Sequence, residues 1–436
     1  MWLLKSKRYL VVKRNENAYK ILFLSGEDFK GKSIQVIRKT PEAYRDAGWI
    51  VNYIVYRDIS KKGNLFYETP QGIENIVLQR YILPGWRLDG IINYRLFSFI
   101  IARVRRFLCV FLLFCKGYFF LQKNDVDIVY GYEPAGFIAV RMLKILRKTK
   151  NAKIVSRFQG VLYIKEWIRR KERMRYFTNF GYFYALKAPS DLCIMTNDGS
   201  QGESVLKQLN SKQTNICFLT NGVDNISISE AELSTFKLKN PLYNTPKIKL
   251  ISISRLDEHK RIDRGICIFE YLVKYLGCSN VHYIIVGEGA HRSSLEKMVG
   301  YKGLKEHVTF IGAIDHSKVK LHLYLSDFFL SMYNSTNVGN PLLEAIRMNK
   351  LIITLKNGDT GNWIQHNVNG LIYPIDDDKD LNQDDYSLIS SDIYNLILHP
   401  LKREALIKGI KETEKNQLWT WEERFKAEVE KVESLL

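Results

Sequence analysis

The sequence predicts an α/β protein built from two doubly wound domains. Three observations carry this. The chain has 436 residues, too many for one ordinary core. Short apolar runs rich in β-branched and aromatic residues alternate with longer amphipathic stretches, the signature of parallel strands buried under helices on both faces. Finally, the runs fall into two sets. In the first half they occupy residues 21–24, 51–55, 126–130, 154–156, 192–195 and 216–219. In the second they occupy 248–253, 281–286, 308–311, 328–331, 351–354 and 371–373. The first domain is expected over residues 1–225 and the second over 240–415, with a polar linker at 224–246 that contains Pro241 and Pro246. The longest apolar run, 107–115, reads as a core helix packed on the first sheet. Beyond residue 417, Trp419, Trp421, Phe425, Ala427, Val429 and Val432 recur at roughly helical spacing. They predict a final amphipathic helix that returns to the first domain.

Composition narrows the class. The chain is 46% hydrophobic and 25% charged, as folded proteins are. No run of about 18 apolar residues predicts a transmembrane helix, and the first twenty residues hold no signal-peptide core. Six cysteines form no C-x-x-C pair, so reduced thiols and a cytoplasmic location are expected. The net charge of +19 is divided unequally: residues 1–225 carry 38 Lys and Arg against 18 Asp and Glu, whereas residues 226–436 carry 27 against 28. The first half therefore either faces something anionic or simply has a solvated basic surface. Nucleic acid is not the expected partner, because no recognition helix accompanies the charge. All eight histidines lie after residue 258. A base in the first half must then be Asp or Glu, or the base is not a side chain. No ligand-like His/Asp cluster appears, so no metal is expected.

Four segments of the second half carry candidate chemistry. Ser254-Arg255-Leu256-Asp257-Glu258-His259-Lys260 follows a strand, so Arg255 and Lys260 fall where open α/β sheets bind ligands. Two cations there could hold a diphosphate; the alternative is a basic surface turn. Val286-Gly287-Glu288-Gly289 follows the next strand, and its glycines either admit a ligand to the backbone or make a tight turn. In Asn337-Val338-Gly339-Asn340-Pro341-Leu342-Leu343-Glu344-Ala345, Asn340 is the expected N-cap and Pro341 the first helical residue. That loop presents backbone N–H groups at a positive helix end, and Glu344 one turn further on could accept from ribose hydroxyls or merely serve the helix dipole. Last, Asn357-Gly358-Asp359-Thr360-Gly361-Asn362 and Asn367-Val368-Asn369-Gly370-Leu371 are turns at a strand's ligand end.

Taken in order, these segments resemble the retaining glycosyltransferases of the GT-B fold, family 4. That family shows R-L-x-x-x-K, then V-G-x-G, V-x-F-x-G, a Glu–seven residues–Glu-Ala motif, and N-G-x-L. Here stand Arg255-Leu256 with Lys260, Val286-Gly287-Glu288-Gly289, Val308-Thr309-Phe310-Ile311-Gly312, Glu344-Ala345 and Asn369-Gly370-Leu371. Weaker matches precede them: Asp127-Ile128-Val129-Tyr130-Gly131-Tyr132-Glu133, Thr196-Asn197-Asp198-Gly199 and Asn221-Gly222-Val223-Asp224. The resemblance implies two Rossmann-like domains facing a cleft. It places Arg255, Lys260 and Glu344 in the catalytic machinery, the first two on the donor diphosphate and Glu344 on the ribose. Gly287, Gly289, Gly312, Ala313, Ile314, Thr336, Asn337, Gly339, Asn340 and Leu342 would surround the donor. Gly26, Glu133, Arg157 and Asp198 are the acceptor-side candidates.

This chain departs from the family pattern in three places. The first acid of the paired motif is Thr336, with Asn334, Ser335 and Asn337 beside it. The glycine pair after the first strand is reduced to Ser25-Gly26-Glu27-Asp28. The mid-domain histidine is absent, and Tyr130, Tyr132 and Glu133 stand near its place.

The resemblance further implies transfer of a sugar from a nucleotide-diphosphate sugar to a glycan or lipid-linked acceptor, with retention and without metal or other cofactor. Such an enzyme would serve cell-surface polysaccharide synthesis. Retention without an evident nucleophile points to same-face substitution, in which the leaving diphosphate takes the acceptor proton. A sugar-nucleotide epimerase and a non-catalytic nucleotide-sugar-binding protein are the alternatives, the second suggested by Thr336. The charge division also motivates docking of the first half on the inner face of the cell membrane. Residues 165–176, with six cations around Trp167, Met174 and Tyr176, are the better docking segment, and 107–115 the worse.

Overall fold

The computed structural model describes residues 18–26, 35–57, 76–82, 95–376 and 379–436. In the first domain β1 (Lys20–Ser25), α1 (Gln35–Asp46), β2 (Ile50–Arg57), β3 (Ile76–Ile82), α2 (Arg95–Lys123), β4 (Ile128–Tyr132) and α3 (Glu133–Ile145) lead into β5 (Lys153–Phe158). Three short helices follow: α4 (Leu162–Arg169), α5 (Arg173–Thr178) and α6 (Phe180–Lys187). Then come β6 (Leu192–Thr196), α7 (Gly202–Gln208) and β7 (Ile216–Leu219). These seven strands form one parallel sheet in the order β3-β2-β1-β4-β5-β6-β7.

The second domain opens with α8 (Glu230–Lys239) and continues through β8 (Ile248–Ile253), α9 (Ile262–Glu270), β9 (Val281–Val286), α10 (Arg292–Tyr301), β10 (Val308–Gly312) and α11 (His316–Tyr324). After β11 (Phe328–Ser331), α12 (Asn340–Arg347), β12 (Leu351–Lys356) and β13 (Leu371–Pro374) come α13 (Gln383–Leu398) and α14 (Pro400–Gln417). Its six parallel strands run β10-β9-β8-β11-β12-β13. Each of the twelve apolar runs singled out in the sequence overlaps a strand, although Val126 and Asp127 of one run precede β4; β3 is an additional strand.

The strands are apolar on both faces because both faces are covered. β9 is buried at all six positions, and β4 and β6 at all five of theirs. Residues 224–246 are not a free linker. Ser229 caps α8 by accepting from the Glu232 N–H, and Phe236 and Tyr243 pack into the second domain's core with Ile251 and Leu342. Through Phe236, the buried residue of α8, and Tyr243 the expected connector becomes part of the domain.

The last helix, α15 (Trp421–Glu433), crosses back to the first domain. Thr420 and Glu423 close a capping box at its start. Val429 and Val432 join the cluster of Ile21, Phe23, Tyr44 and Tyr130, while Trp421 and Phe425 pack on Val36 of α1. Beneath this apolar contact lies a charged network. The Tyr130 hydroxyl donates to Glu428 Oε1 at 2.8 Å, and Arg424 donates to Glu428 Oε2. Arg157, Arg424 and Glu428 are all fully buried. Burial alone would raise the Glu428 carboxyl, but Arg424 and Arg157 outweigh it and hold the group below its usual range.

Arg157 was expected to face an acceptor. It faces the interior instead, donating to the Phe158 carbonyl at 2.9 Å and the Thr196 hydroxyl at 2.7 Å. Its place on β5, under α15, makes it a counter-charge for Glu428, so its assignment to the acceptor is corrected. Removing Glu428 would strand two buried guanidinium groups. Glu428→Gln should therefore destabilise the docked helix by about 3 to 5 kcal/mol, read as an earlier first transition in thermal or urea unfolding. An unchanged transition would show that the apolar contacts alone hold α15.

Candidate active site

Each sheet reverses its strand order once, between β1 and β4 in the first domain and between β8 and β11 in the second. Loops at the carboxyl ends of strands flanking such a reversal diverge and leave a crevice. Here the two loop sets face each other. The Asp359 N–H donates to the Gly199 carbonyl at 3.0 Å, and the Thr336 hydroxyl donates to the Asp198 carbonyl at 3.2 Å. Asn221 Nδ2 donates to Asn340 Oδ1 at 2.9 Å. The cleft between the domains is thus closed at these three points.

The loop after β8 is set by its neighbours. The Leu256 N–H donates to the Glu288 carbonyl at 2.9 Å, and the His291 N–H returns to the Leu256 carbonyl at 3.0 Å. Gly287 has φ +136°, and a Cβ on it would stand 1.8 Å from the Ser254 carbonyl oxygen; one on Gly289 would meet the Leu256 carbonyl at 2.2 Å. These glycines permit loop-on-loop packing, which in turn aims Arg255 and Lys260. Arg255 is exposed and pairs with Asp257 Oδ2 at 3.2 Å. The ammonium of Lys260 sits 3.8 Å from the centre of the Tyr333 ring, a cation–π contact with the loop after β11. Burial pushes the Lys260 amine down to about 8, and Asp257 and Asp198 only partly offset it. Asp198 belongs to the first domain, so the cleft brings a cation and a carboxylate from opposite walls within electrostatic reach.

Asp198 is held by Ser200, whose N–H donates to Oδ1 at 3.0 Å and whose hydroxyl donates to the same oxygen. Burial raises its carboxyl above the ordinary range despite those bonds. It lines a cavity of about 200 Å³ with Gln159, Gly160, Val161, Ile164, Trp167 and Tyr182. Glu133 begins α3 at the left-handed φ of +59°, and its Oε1 accepts from the Gln159 N–H at 2.7 Å. That strained residue ties the loop after β4 to the cavity wall. Gly26 follows β1 and packs near Ala135 and Cys109.

The helix α12 begins one residue earlier than expected. Gly339 is its N-cap, Asn340 is already helical, and no side chain caps the first turn. The correction has a physical cause: the Asn340 side chain is taken by Asn221, so it does not turn back on its own helix. Leu342 is buried in the core and offers a ligand only its backbone. A second correction concerns Asn337. Its Oδ1 accepts from the Ser331 hydroxyl and the Tyr333 N–H, and its Nδ2 donates to Asn357 Oδ1 at 2.8 Å. It is 1% exposed. Asn337 therefore pins the loop from inside, and its side chain is not available to a donor.

Glu344 opens onto a second cavity of about 230 Å³ lined also by Asp224, Asn225, His316 and Lys320. Its Oε1 is 2.7 Å from His316 Nε2. His316 sits at the start of α11, where Asp315 caps the helix through the Ser317 N–H at 2.8 Å. The preceding Gly312, Ala313 and Ile314 carry the chain from β10 to this point, and Gly312 takes the left-handed φ of +85°. Sequence reading missed His316, Tyr333 and Asp257. Only His316 had a signal, four residues beyond the Gly312 strand end.

Residues 235–417 match the family model described as "Glycosyl transferases group 1". The match falls on the second domain, from within α8 to the end of α14. Among curated proteins, the chain is 25% identical over 151 residues to the amylovoran biosynthesis glycosyltransferase AmsK of Erwinia amylovora, covering 33% of this chain and 36% of that one. It is 20% identical over 147 residues to the alpha-monoglucosyldiacylglycerol synthase of Acholeplasma laidlawii, covering 34% and 36%. The matched stretches span between about a quarter and somewhat over a third of the curated relatives. Among solved structures, Anabaena Alr3699/HepE in complex with UDP superposes with a TM-score of 0.66 at 15% identity, over 96% of this chain and all of that one. The fold is GT-B, and the second domain supplies the Arg255, Lys260 and Glu344 wall of its cleft.

The bond from Glu344 raises the His316 pKa, burial notwithstanding. A raised imidazole pKa means that the pair stabilises the fold fully below about 6.5 and loses this contribution as pH climbs through the folded value. NMR titration should find His316 above about 6.5, and Glu344→Gln should bring it down. A normal value in the intact protein would mean that the pair does not form in solution.

Proposed function

We propose that the chain is a retaining hexosyltransferase that moves a sugar from a nucleotide-diphosphate sugar onto a glycan or lipid-linked acceptor in cell-surface polysaccharide synthesis. It would act on the cytoplasmic side, with its first half near the membrane. One observation carries the reading. Arg255, Lys260 and the uncapped start of α12 converge at the strand reversal of the second domain, opposite Asp198 of the first. Cations and free N–H groups at that point suit a diphosphate, and Glu344 one turn into α12 suits the ribose. The structure of Anabaena Alr3699/HepE with UDP supports a nucleotide donor by fold alone.

In this reading the bond between the sugar's anomeric carbon and the diphosphate oxygen breaks as the acceptor oxygen bonds to that carbon on the same face. The acceptor's proton passes to the departing phosphate oxygen. Lys260 and Arg255 stabilise the charge that grows there, in a half-closed cleft where such contacts are stronger than in water. Gly287, Gly289, Gly312, Ala313, Ile314, Gly339 and Asn340 shape the walls around the donor, and Thr336 stands where the sugar would meet the first domain. No step needs a metal, so EDTA should leave the rate unchanged.

A donor screen by nucleoside-diphosphate release, with and without acceptor, tests the activity. Release that needs no acceptor would favour an epimerase or hydrolase, and binding without release a non-catalytic protein. Arg255→Ala and Lys260→Ala should each cut turnover at least about a hundredfold, on the order of 3 kcal/mol. Near-full activity in both would overturn the site. Because the Lys260 amine lies at about 8 in the free protein, nucleoside-diphosphate affinity should fall as pH rises through that value. Lys260→Arg should flatten the profile. Thr336→Glu should change the donor profile while Thr336→Ser keeps it; identical profiles in all three proteins would remove position 336 from the sugar site.

A further inference from the structure

The first domain leaves one apolar face uncovered. Helix α2 buries Cys109, Leu113 and Leu121 against the sheet. Its opposite side carries Val104, Phe107 and Phe111, which are 48%, 68% and 46% exposed and recur at intervals of three and four residues. The run 107–115, expected as a core helix, is thus core on one side only. Helix α5 buries none of its residues, and Met174, Phe177 and the neighbouring Phe180 are 74%, 77% and 68% exposed. The two sets adjoin. Asn179, between α5 and α6, accepts from Arg103 at 3.4 Å and from Arg106 at 3.3 Å, both on α2. Single exposed apolar residues are ordinary, but a contiguous group of this kind marks a binding surface.

The charge on the same face is predominantly positive. The 29 residues of α2 include no Asp or Glu. Residues 165–175 hold six cations against Glu166 and Glu172. Glu166 pairs with Arg169 and Arg170, and Glu172 with Arg175, while Lys171 and Arg173 stand exposed. Arginines flank the apolar side chains directly: Arg173 and Arg175 enclose Met174, and Arg105 and Arg106 precede Phe107. The centre of a protein–protein interface is depleted of charge, which this face is not. Rings and a thioether that reach between cations fit a lipid surface, with the apolar groups at the acyl boundary and the cations at the phosphates.

We propose that the face formed by α2, α5 and the start of α6 docks on an anionic lipid bilayer. The face borders the cleft. Trp167 lines the cavity that Asp198 closes, and the guanidinium of Arg175 lies 6.0 Å from the centre of its ring. Resting on the transferase reading, this deepens it: the acceptor is anchored in the same bilayer and enters the cavity from its membrane side.

The test is sedimentation of the full chain with phosphatidylcholine vesicles, with and without about a third phosphatidylglycerol. The protein should pellet with the anionic vesicles and be released by salt. Lys171→Glu with Arg173→Glu should weaken binding at least about tenfold. Phe107→Ser with Phe177→Ser should weaken it at low salt as well, because these side chains act by insertion. Equal binding to both vesicle types, or none to either, would overturn the proposal. So would a dimer in sedimentation velocity that the Phe107 and Phe177 changes dissociate, since a second copy would then cover the face. Nucleoside-diphosphate affinity separates this proposal from the transferase reading. The surface variants should keep that affinity, and Arg255→Ala should keep vesicle binding while losing it.

Discussion

The geometry of the cleft rests on how firmly α15 is fixed to the first sheet. The chain passes between the domains twice, at 220–229 and at 417–421, and the two passages run side by side. The Val223 N–H donates to the Trp419 carbonyl at 2.9 Å, and Val223 pairs with Thr420 as an isolated parallel bridge. A side chain at Gly222 would strike the backbone of Trp421 at 2.5 Å, so only glycine lets the passages close up. Because the second passage ends in α15, the Glu428 network beneath that helix sets where the second domain hangs relative to the first. A buried ionic group of this sort adds little net stability over an apolar substitute, but breaking it is costly. Its value here is geometric: Glu428 has its partners only when α15 lies in one register.

The same constraint explains why the two cleft walls differ in character. The second domain's wall carries its functional groups on loops that are bonded to each other, β8 loop to β9 loop and β8 loop to β11 loop, the last through the Asn334 N–H and the His259 carbonyl at 3.1 Å. A cation on such a framework loses little freedom when it meets a phosphate. The first domain's wall, in its described loop after β6, leans on the second domain for part of its bonding, through the carbonyls of Gly199 and Asp198. The second domain's wall is therefore preorganised within one domain, whereas the first domain's wall is completed only when the domains meet.

Much of this was legible in the sequence, and the exceptions are instructive. Strands covered on both faces announce themselves as apolar runs, and twelve did so; β3, with Gln79 and Arg80 in its middle, lacks that continuity. Residues 224–246 looked like a linker because Pro241 and Pro246 punctuate them, yet Phe236 and Tyr243 are apolar enough to bury. Asn337 and Arg157 were misplaced for one reason: a polar residue next to a motif reads as a ligand contact unless its own partners are known, and one partner of each lies well outside the motif, 20 and 39 residues away at Asn357 and Thr196. His316 and Glu344 are 28 residues apart, so no local pattern joins them. The amphipathic split of α2 was hidden by its own composition, since a helix side made of Phe and Val looks like core until the fold shows what lies opposite.

Thr336 shows how a departure from a family pattern can be a local necessity. Its hydroxyl donates to the Asp198 carbonyl and accepts from the Val338 N–H at 3.1 Å. A glutamate in its place could accept from Val338 but, once ionised, could not donate to Asp198. It would also bring a carboxylate toward Asp198 and Asp359, two acids already close enough for Asp359 to raise the Asp198 carboxyl. Three acids at one domain contact, with Lys260 as the nearby cation, would push the walls apart. The threonine instead lets the first domain approach the loop after β11. An acid at 336 and a closed contact at Asp198 and Gly199 are therefore alternatives, and this chain has taken the contact.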